Sequence, residues 1–227
     1  MKKQIFIAAA VVFTAGMIFI AGCKKDDTTL PVITVLGSAT VNSSLNVPYV
    51  DAGATAMDDA DGDITSSITM SGWTSSNKDM KNTYTITYTV SDAAGNTATA
   101  SRTVNVVNDA EMYAGTYANS ADTCTTGGPS AFSASITTSN TLNNAVIIKN
   151  FGAFDATGTY LVNAVITGTT ITIPTSPNQM LGTVAYIQTV YSAGTAVVST
   201  SAPTKLRIKY QWTDGTNSDV CQSWYIR

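Results

Sequence analysis

The sequence contains no histidine, and only 12% of its residues are charged. Without histidine there is no Ser-His-Asp triad and no His-ligated zinc. No basic patch stands out, which argues against nucleic acid as a partner. No phosphate loop and no dinucleotide fingerprint is present, so no cofactor is expected. No segment from about residue 110 onward sustains a 3.6-residue apolar period, so no helix is expected there. Carboxylates are sparse in the C-terminal half: Asp122, Asp155, Asp214 and Asp219, with Glu111 ahead of them. Only Asp214 and Asp219 are close in sequence, and both fall in a turn-rich stretch. A two-carboxylate hydrolase is therefore not expected, and the chain reads as non-catalytic. What remains is rich in Thr, Ser, Ala and Asn, with Val and Ile in short alternating runs. That mixture reads as a secreted all-β protein.

The N-terminus carries an address. Lys2 and Lys3 precede an uncharged apolar run from Ile5 to Phe19, and Ile20-Ala21-Gly22-Cys23 follows. A positive start, a short apolar core and a small-residue cleavage site describe a secretory signal peptide, residues 1–22. The run is short of the roughly 20 apolar residues that a membrane span needs. The Ala-Gly-Cys ending resembles the lipobox of bacterial lipoproteins. That resemblance implies an acylated Cys23 at the mature N-terminus, and stable anchoring takes two or more acyl chains. Lys24-Lys25-Asp26-Asp27 resembles the signal that sends Bacteroidetes lipoproteins to the outer face of the outer membrane; the alternative is a solvated tether over residues 23–29. Loss of Lys2 and Lys3 takes the net charge from −3 to about −5 over about 205 mature residues.

Residues 30–108 read as a first domain. Val32 to Leu36 is a strand ended by Gly37. From Thr83 to Val90 the alternation is unbroken, with Tyr84, Ile86, Tyr88 and Val90 on one face. Ser91 to Asn96 is a turn, and Thr97 to Val107 returns as the partner strand. Arg102 falls on the apolar parity of that strand. It is expected at a rim, paired with an aspartate, or at a bulge. The stretch from Asp51 to Thr65, the Ser-Asp-Ala-Ala-Gly-Asn turn and the closing Arg-Thr-Val-Asn-Val strand together resemble a bacterial immunoglobulin-like domain, related to the HYR type. This implies a β-sandwich of about seven strands, often used as a spacer. Asp58, Asp59, Asp61 and Asp63 share one loop. They are weak candidates for a calcium site, since the EF-hand spacing is absent. The alternative is that they cap turns and that one of them pairs with Arg102, with no metal bound.

Residues 110–227 read as a second domain, reached through the short joint Asn108-Asp109-Ala110-Glu111. Strand candidates recur at 115–119, 131–137, 145–149, 159–166, 170–173, 183–191, 196–200, 205–213 and 220–226. Gly168-Thr169 and Asp214-Gly215 are candidate hairpin turns. Eight or nine antiparallel strands in a meander predict an up-and-down barrel, loosely similar to lipocalin-like modules, or a second sandwich. Cys124 and Cys221 are expected to form a disulfide, the alternative being two free buried thiols. A loop of nearly 100 residues closed this way is worth about 4.7 kcal/mol in the chain-entropy model.

Leu206, Ile208, Tyr210 and Trp212 alternate with Lys205, Arg207, Lys209 and Gln211. Trp212, Trp224 and Tyr225 are either inward core or ligand-stacking residues at a barrel mouth. Trp73 is expected in the first domain's core. The sequence thus points to a non-catalytic surface lipoprotein. Its partners are the membrane through the lipid, and a glycan or a neighbouring outer-membrane protein. The alternative is a structural or adhesive envelope protein. An open aromatic-lined cavity favours the first, a solid core the second.

Overall fold

The computed structural model describes residues 26–155, 157, 159–168, 170–174, 179–180, 186–192, 194–195 and 205–227. The signal peptide, Cys23, Thr169 and the expected strand at 196–200 lie outside the described residues. The described residues form an all-β structure of seventeen strands. Helix among them consists of 3-10 turns of three residues each.

The first domain has seven strands: β1 (Val32–Val35), β2 (Thr40–Ser44), β3 (Ala54–Asp58), β4 (Gly62–Asp63), β5 (Thr69–Ser71), β6 (Asn82–Ser91) and β7 (Thr97–Val107). They form two sheets, β1-β3-β4 and β2-β7-β6-β5, with β2 parallel to β7. The β6–β7 hairpin holds a continuous register from Asn82↔Val106 to Ser91↔Thr97. Its alternation sends Ile86, Tyr88 and Val104 into the core, where Ile33, Val35, Val41 and Trp73 pack on them. Trp73 meets Tyr49 and Tyr84 edge to face at 5.2 and 5.6 Å. Gly72 precedes it at φ +87°, where a Cβ would stand 2.1 Å from the Thr85 carbonyl oxygen.

Arg102 lies neither at a rim nor at a bulge. It is 2% exposed in an unbroken register and pairs with Asp51. Its partner is thus outside the 58–63 loop. Asp51 was not foreseen because it is distant in sequence and is brought close only by the packing of the two sheets. The guanidinium gives four hydrogen bonds, to Asp51 Oδ1, the Tyr49 hydroxyl and the carbonyls of Ser38 and Leu36. Asp51 also accepts hydrogen bonds from the Tyr88 and Tyr49 hydroxyls and from the Gly53 N–H. A buried charge is tolerable only when every donor and acceptor is satisfied in this way.

Among the described residues the second domain has ten strands: β8 (Gly115–Cys124), β9 (Ser130–Thr138), β10 (Ala145–Lys149), β11 (Leu161–Thr167), β12 (Thr170–Thr172), β13 (Gln179–Met180), β14 (Tyr186–Ser192), β15 (Gly194–Thr195), β16 (Lys205–Thr213) and β17 (Ser218–Ile226). They form one sheet in the order β13-β14-β16-β17-β8-β9-β10-β11-β12-β15. Its longer strands make a nearly closed seven-stranded antiparallel barrel. Of the two architectures the sequence allows, the barrel is the one formed. Its interior is solid over the described residues, filled by Tyr113, Tyr117, Ile136, Phe151, Tyr210 and Tyr225 among others. The β16–β17 hairpin turns through four residues, Asp214 to Asn217, whose N–H groups at 216 and 217 bond the Asp214 carboxylate.

Asn108 locks the domains together. It is 1% exposed. Its Nδ2 donates to the carbonyls of Ser139, Leu142 and Ala145, and its Oδ1 accepts from the N–H groups of Ala110 and Asn144. Around it, Lys81 bonds Glu111 at 2.5 Å and Asn46 bonds Asn143 at 2.9 Å.

The Asp51 carboxyl is held below the ordinary carboxylate range. Burial pushes it up, but the hydrogen bonds from Tyr88, Tyr49 and Gly53 and the charge of Arg102 outweigh burial. A depressed folded pKa gives stability that is complete above the unfolded value near 3.9 and is lost as pH falls through the folded value. Asp51→Ala is therefore expected to cost the first domain roughly 3–5 kcal/mol at neutral pH. The difference from the parent should narrow as pH falls below the unfolded carboxylate value of about 3.9 and the parent loses the same charge. Urea denaturation at the two pH values checks this; a pH-independent difference would contradict it.

Candidate functional site

The barrel closes where its first and last strands meet. β17 pairs antiparallel with β8, with Cys221 opposite Cys124, and the two are joined by a disulfide. The bond falls at one end of the barrel and its sulfur atoms lie toward the core, Cys221 being 1% exposed.

A bulge decides what else β8 presents there. The β8–β9 register shifts between Tyr117 and Ser120. Tyr117, Ser120 and Asp122 all point inward, while Ala118 and Asn119 are both exposed. In an unbroken strand, the parity of Tyr117 would turn Asp122 to water. The bulge instead buries Asp122 to 4% exposure. Its Oδ1 accepts from the Ser223 hydroxyl at 2.5 Å and from the Tyr210 hydroxyl at 3.1 Å. Its Oδ2 lies 3.3 Å from Cys124 Sγ, a disulfide sulfur with no proton to give. Burial raises the pKa of this carboxyl against the Ser223 and Tyr210 hydrogen bonds, and the nearby Asp219 raises it further.

Asp122 opens onto a recess of about 310 Å³ at this end of the barrel. Trp212 and Phe154 form its aromatic wall, with ring centroids 5.5 Å apart and an edge-to-face tilt of 67°. Gly152 makes that approach possible. At φ +58° it lets the turn at 151–153 fold against the barrel, where a Cβ would stand 2.2 Å from the Tyr210 hydroxyl. The facing wall is the loop Thr126-Gly127-Gly128, together with Ser130. Asp219 holds that loop: its carboxylate accepts from the N–H groups of Thr125, Thr126 and Val220 and from the Thr126 hydroxyl. The Thr126 hydroxyl and these N–H groups lower its pKa against burial. With its oxygens so occupied, Asp219 is a loop anchor. The Trp212 Nε1–H is shielded from solvent and has no acceptor among the described residues.

Of the three aromatic residues that the sequence left as either core or barrel-mouth residues, only Trp212 lines the recess. Tyr225 is 0% exposed, packed edge to face on Tyr117 and Phe132, and belongs to the core. Trp224 sits on the opposite face of the same strand, with Lys205 Nζ 4.0 Å and Arg207 5.5 Å from its ring. Adjacent strand residues point to opposite faces, so Trp224 and Tyr225 could not have shared a site. Trp224 carries instead a surface cation–π contact, worth roughly 0.5–1 kcal/mol. The sequence had no signal for Phe154, for the 126–128 loop or for the inward turn of Asp122.

The aspartates of the first domain separate. Asp58 Oδ1 accepts from the N–H groups of Ala60 and Asp61, and Asp63 accepts from that of Thr65, both turn caps as expected. Asp61 accepts from the N–H of Ala93, in the β6–β7 turn, and Asp59 from the hydroxyl of Thr29. None of the four pairs with Arg102, whose carboxylate partner is Asp51.

A larger crevice of about 580 Å³ lies at the domain joint, lined by Lys81, Glu111, Thr138 and Asn140. No aromatic ring lines it, and Lys81, Glu111 and Thr138 already satisfy one another. The recess beside Trp212 is therefore the better candidate.

A family model described as "Bacterial surface protein, Ig-like domain" matches residues 33–106, which covers the sandwich. No curated protein matches the chain. Among solved structures, the chain is similar to a lipoprotein of Bacteroides thetaiotaomicron, at 16% identity over 86% of this chain and 100% of that one, with a TM-score of 0.35. It is similar also to a structure of the CBM51-2 module in complex with GlcNAc and INT domains from Clostridium perfringens ZmpB. There the identity is 17% over 80% of this chain and 29% of that one, with a TM-score of 0.28. Overlaps this loose transfer neither ligand nor activity. The first domain is thus an immunoglobulin-like domain of the bacterial surface type, followed by a disulfide-bonded barrel.

Replacing both Cys124 and Cys221 by Ala is expected to cost the barrel roughly 2–5 kcal/mol. It should also loosen the 125–128 loop, because the cross-link and Asp219 hold the same strand ends. Urea denaturation and limited proteolysis read the two effects. An unchanged midpoint would show that the β8–β17 ladder closes the barrel unaided.

Proposed function

We propose that the protein is a non-catalytic lipoprotein of the bacterial cell surface. Cys23 carries the lipid, residues 24–29 form the tether, and the immunoglobulin-like domain is a spacer. The barrel binds a small polar-apolar ligand, a glycan first of all, in the recess beside Trp212. The observation that carries this reading is the recess itself, where an aromatic wall faces a buried carboxylate and a hydroxyl-bearing, glycine-rich loop. A sugar has an apolar ring face that stacks on an aromatic ring and hydroxyls that need acceptors. At about 310 Å³ the recess is at the lower end of ligand sites, enough for one or two sugar rings. The chain has no histidine, and Asp219, the second carboxylate at the recess, is occupied by its loop. Both features favour binding over hydrolysis.

Adhesion to another protein is a second reading, favoured by the packed barrel interior over the described residues and by one surface feature. Val32 and Met57 face each other across β1 and β3 while 66% and 54% exposed, an apolar pair left uncovered by the described residues.

A glycan array followed by calorimetry tests the proposal. Trp212→Ala should weaken binding at least tenfold, about 1.4 kcal/mol. Trp224→Ala, on the outer face, should leave it unchanged. Binding that survives the first substitution, or no glycan binding alongside capture of one protein partner, would reject the glycan reading. Separately, Cys23→Ala should abolish palmitate incorporation and release the protein from the membrane; retained label would remove the anchor.

A further inference from the structure

We infer that the first domain holds a calcium ion between Asp27, Asp58 and Asp92, and that this ion clamps the tether to the domain. The three carboxylates come from segments far apart in sequence: the tether, the β3–β4 turn and the β6–β7 turn. Each contributes an oxygen to one cluster whose atoms all lie within 4.8 Å of one another. Oxygens bound to a common Ca²⁺ at 2.3–2.6 Å stand that close or closer.

The hydrogen bonds point the same way. Asp58 is only 7% exposed. Its Oδ1 is held by two N–H groups, which leaves Oδ2 buried with no partner. Asp27 repeats the arrangement: Oδ1 accepts from the Thr29 N–H at 2.9 Å, and Oδ2 is shielded and unpartnered. Asp92, 8% exposed, is oriented by the Asn96 N–H at 2.8 Å and by the Asn96 amide at 2.7 Å. That amide also donates to the Asp27 carbonyl at 3.2 Å, bringing the tether to the site. None of the ion pairs among the described residues involves these three carboxylates. A buried carboxylate oxygen without a donor is costly, and three anionic groups together are more so, unless a cation sits between them.

The chemistry selects the ion. Every donor is a hard oxygen and none is nitrogen or thiolate, which excludes the softer metals' preferred sets. The ligands sit on turns and on an extended tether, a flexible frame of the kind Ca²⁺ accepts and Mg²⁺ does not favour. Three carboxylates with water completing the shell predict an affinity in the range of extracellular modules, a Kd of roughly 0.1–1 mM. From the sequence, Asp58, Asp59, Asp61 and Asp63 were weak candidates beside the preferred turn-capping reading; of the four only Asp58 belongs to this cluster, with Asp27 and Asp92.

The test uses the full chain in non-ionic detergent, titrated calorimetrically with CaCl₂ and with MgCl₂. One Ca²⁺ per chain should bind, at least tenfold tighter than Mg²⁺, and 10 mM CaCl₂ (about tenfold above the upper Kd) should raise the melting temperature of the first domain relative to EDTA. Asp58→Asn and Asp27→Asn should each weaken Ca²⁺ at least tenfold, while Asp63→Asn should not. Asp27 is on the tether, so its substitution keeps the test valid if Asp58→Asn fails to fold. The inference is overturned by no binding at 10 mM, by equal Mg²⁺ affinity, or by unchanged affinity in Asp27→Asn.

Discussion

The barrel depends on the pairing of β8 with β17. A sheet has two edges, and unpaired edges are a liability that closure removes. Here the first and last strands of the domain pair, which joins the two halves of the meander into one nearly closed sheet with β13 and β15 left at its edges. The Cys124–Cys221 bond holds that seam at one end. Asp122, Ser223 and Tyr210 meet across it, and Trp212 stands one strand further on. The recess exists because the seam, the bulge in β8 and the turn at 151–153 all fall at the same end.

Polar groups that folding buries set the remaining geometry. In the first domain, Arg102 and Asp51 are useful only as a complete network with Tyr49, Tyr88 and backbone carbonyls. At the joint, the Asn108 side chain bonds three carbonyls and two N–H groups, binding the 139–145 segment to the end of β7. Both are high-stakes arrangements in a low-dielectric interior, strong when satisfied and costly when broken. The Asn108 bonds join the first domain to the barrel directly.

Much of the candidate site was only half legible. Trp212 could be found because β16 alternates cleanly, and alternation is local. Asp122 could not, because its direction depends on one extra residue in β8 that shifts the parity after Tyr117. Phe154 follows a positive-φ glycine turn whose path is set by contact with Tyr210. Asp58 was visible in an acidic loop, but Asp27 and Asp92 approach it only when the tether and the hairpin turn fold onto the same end of the sandwich.

The sequence by itself determined the all-β class, the sandwich followed by a meander, the β6–β7 and β16–β17 hairpins and the pairing of the two later cysteines. Those rest on period-two patterns, turn residues and a count of two, which neighbours in sequence carry. Only the tertiary structure decided that the meander is a nearly closed barrel, that Arg102 pairs with Asp51, and that Trp212 and Trp224 serve opposite faces. Each of these depends on which distant strands become neighbours, and on bulges that reverse a parity. No local pattern encodes that, because it is the closing of the sheet, not the preference of any one strand, that brings the residues together.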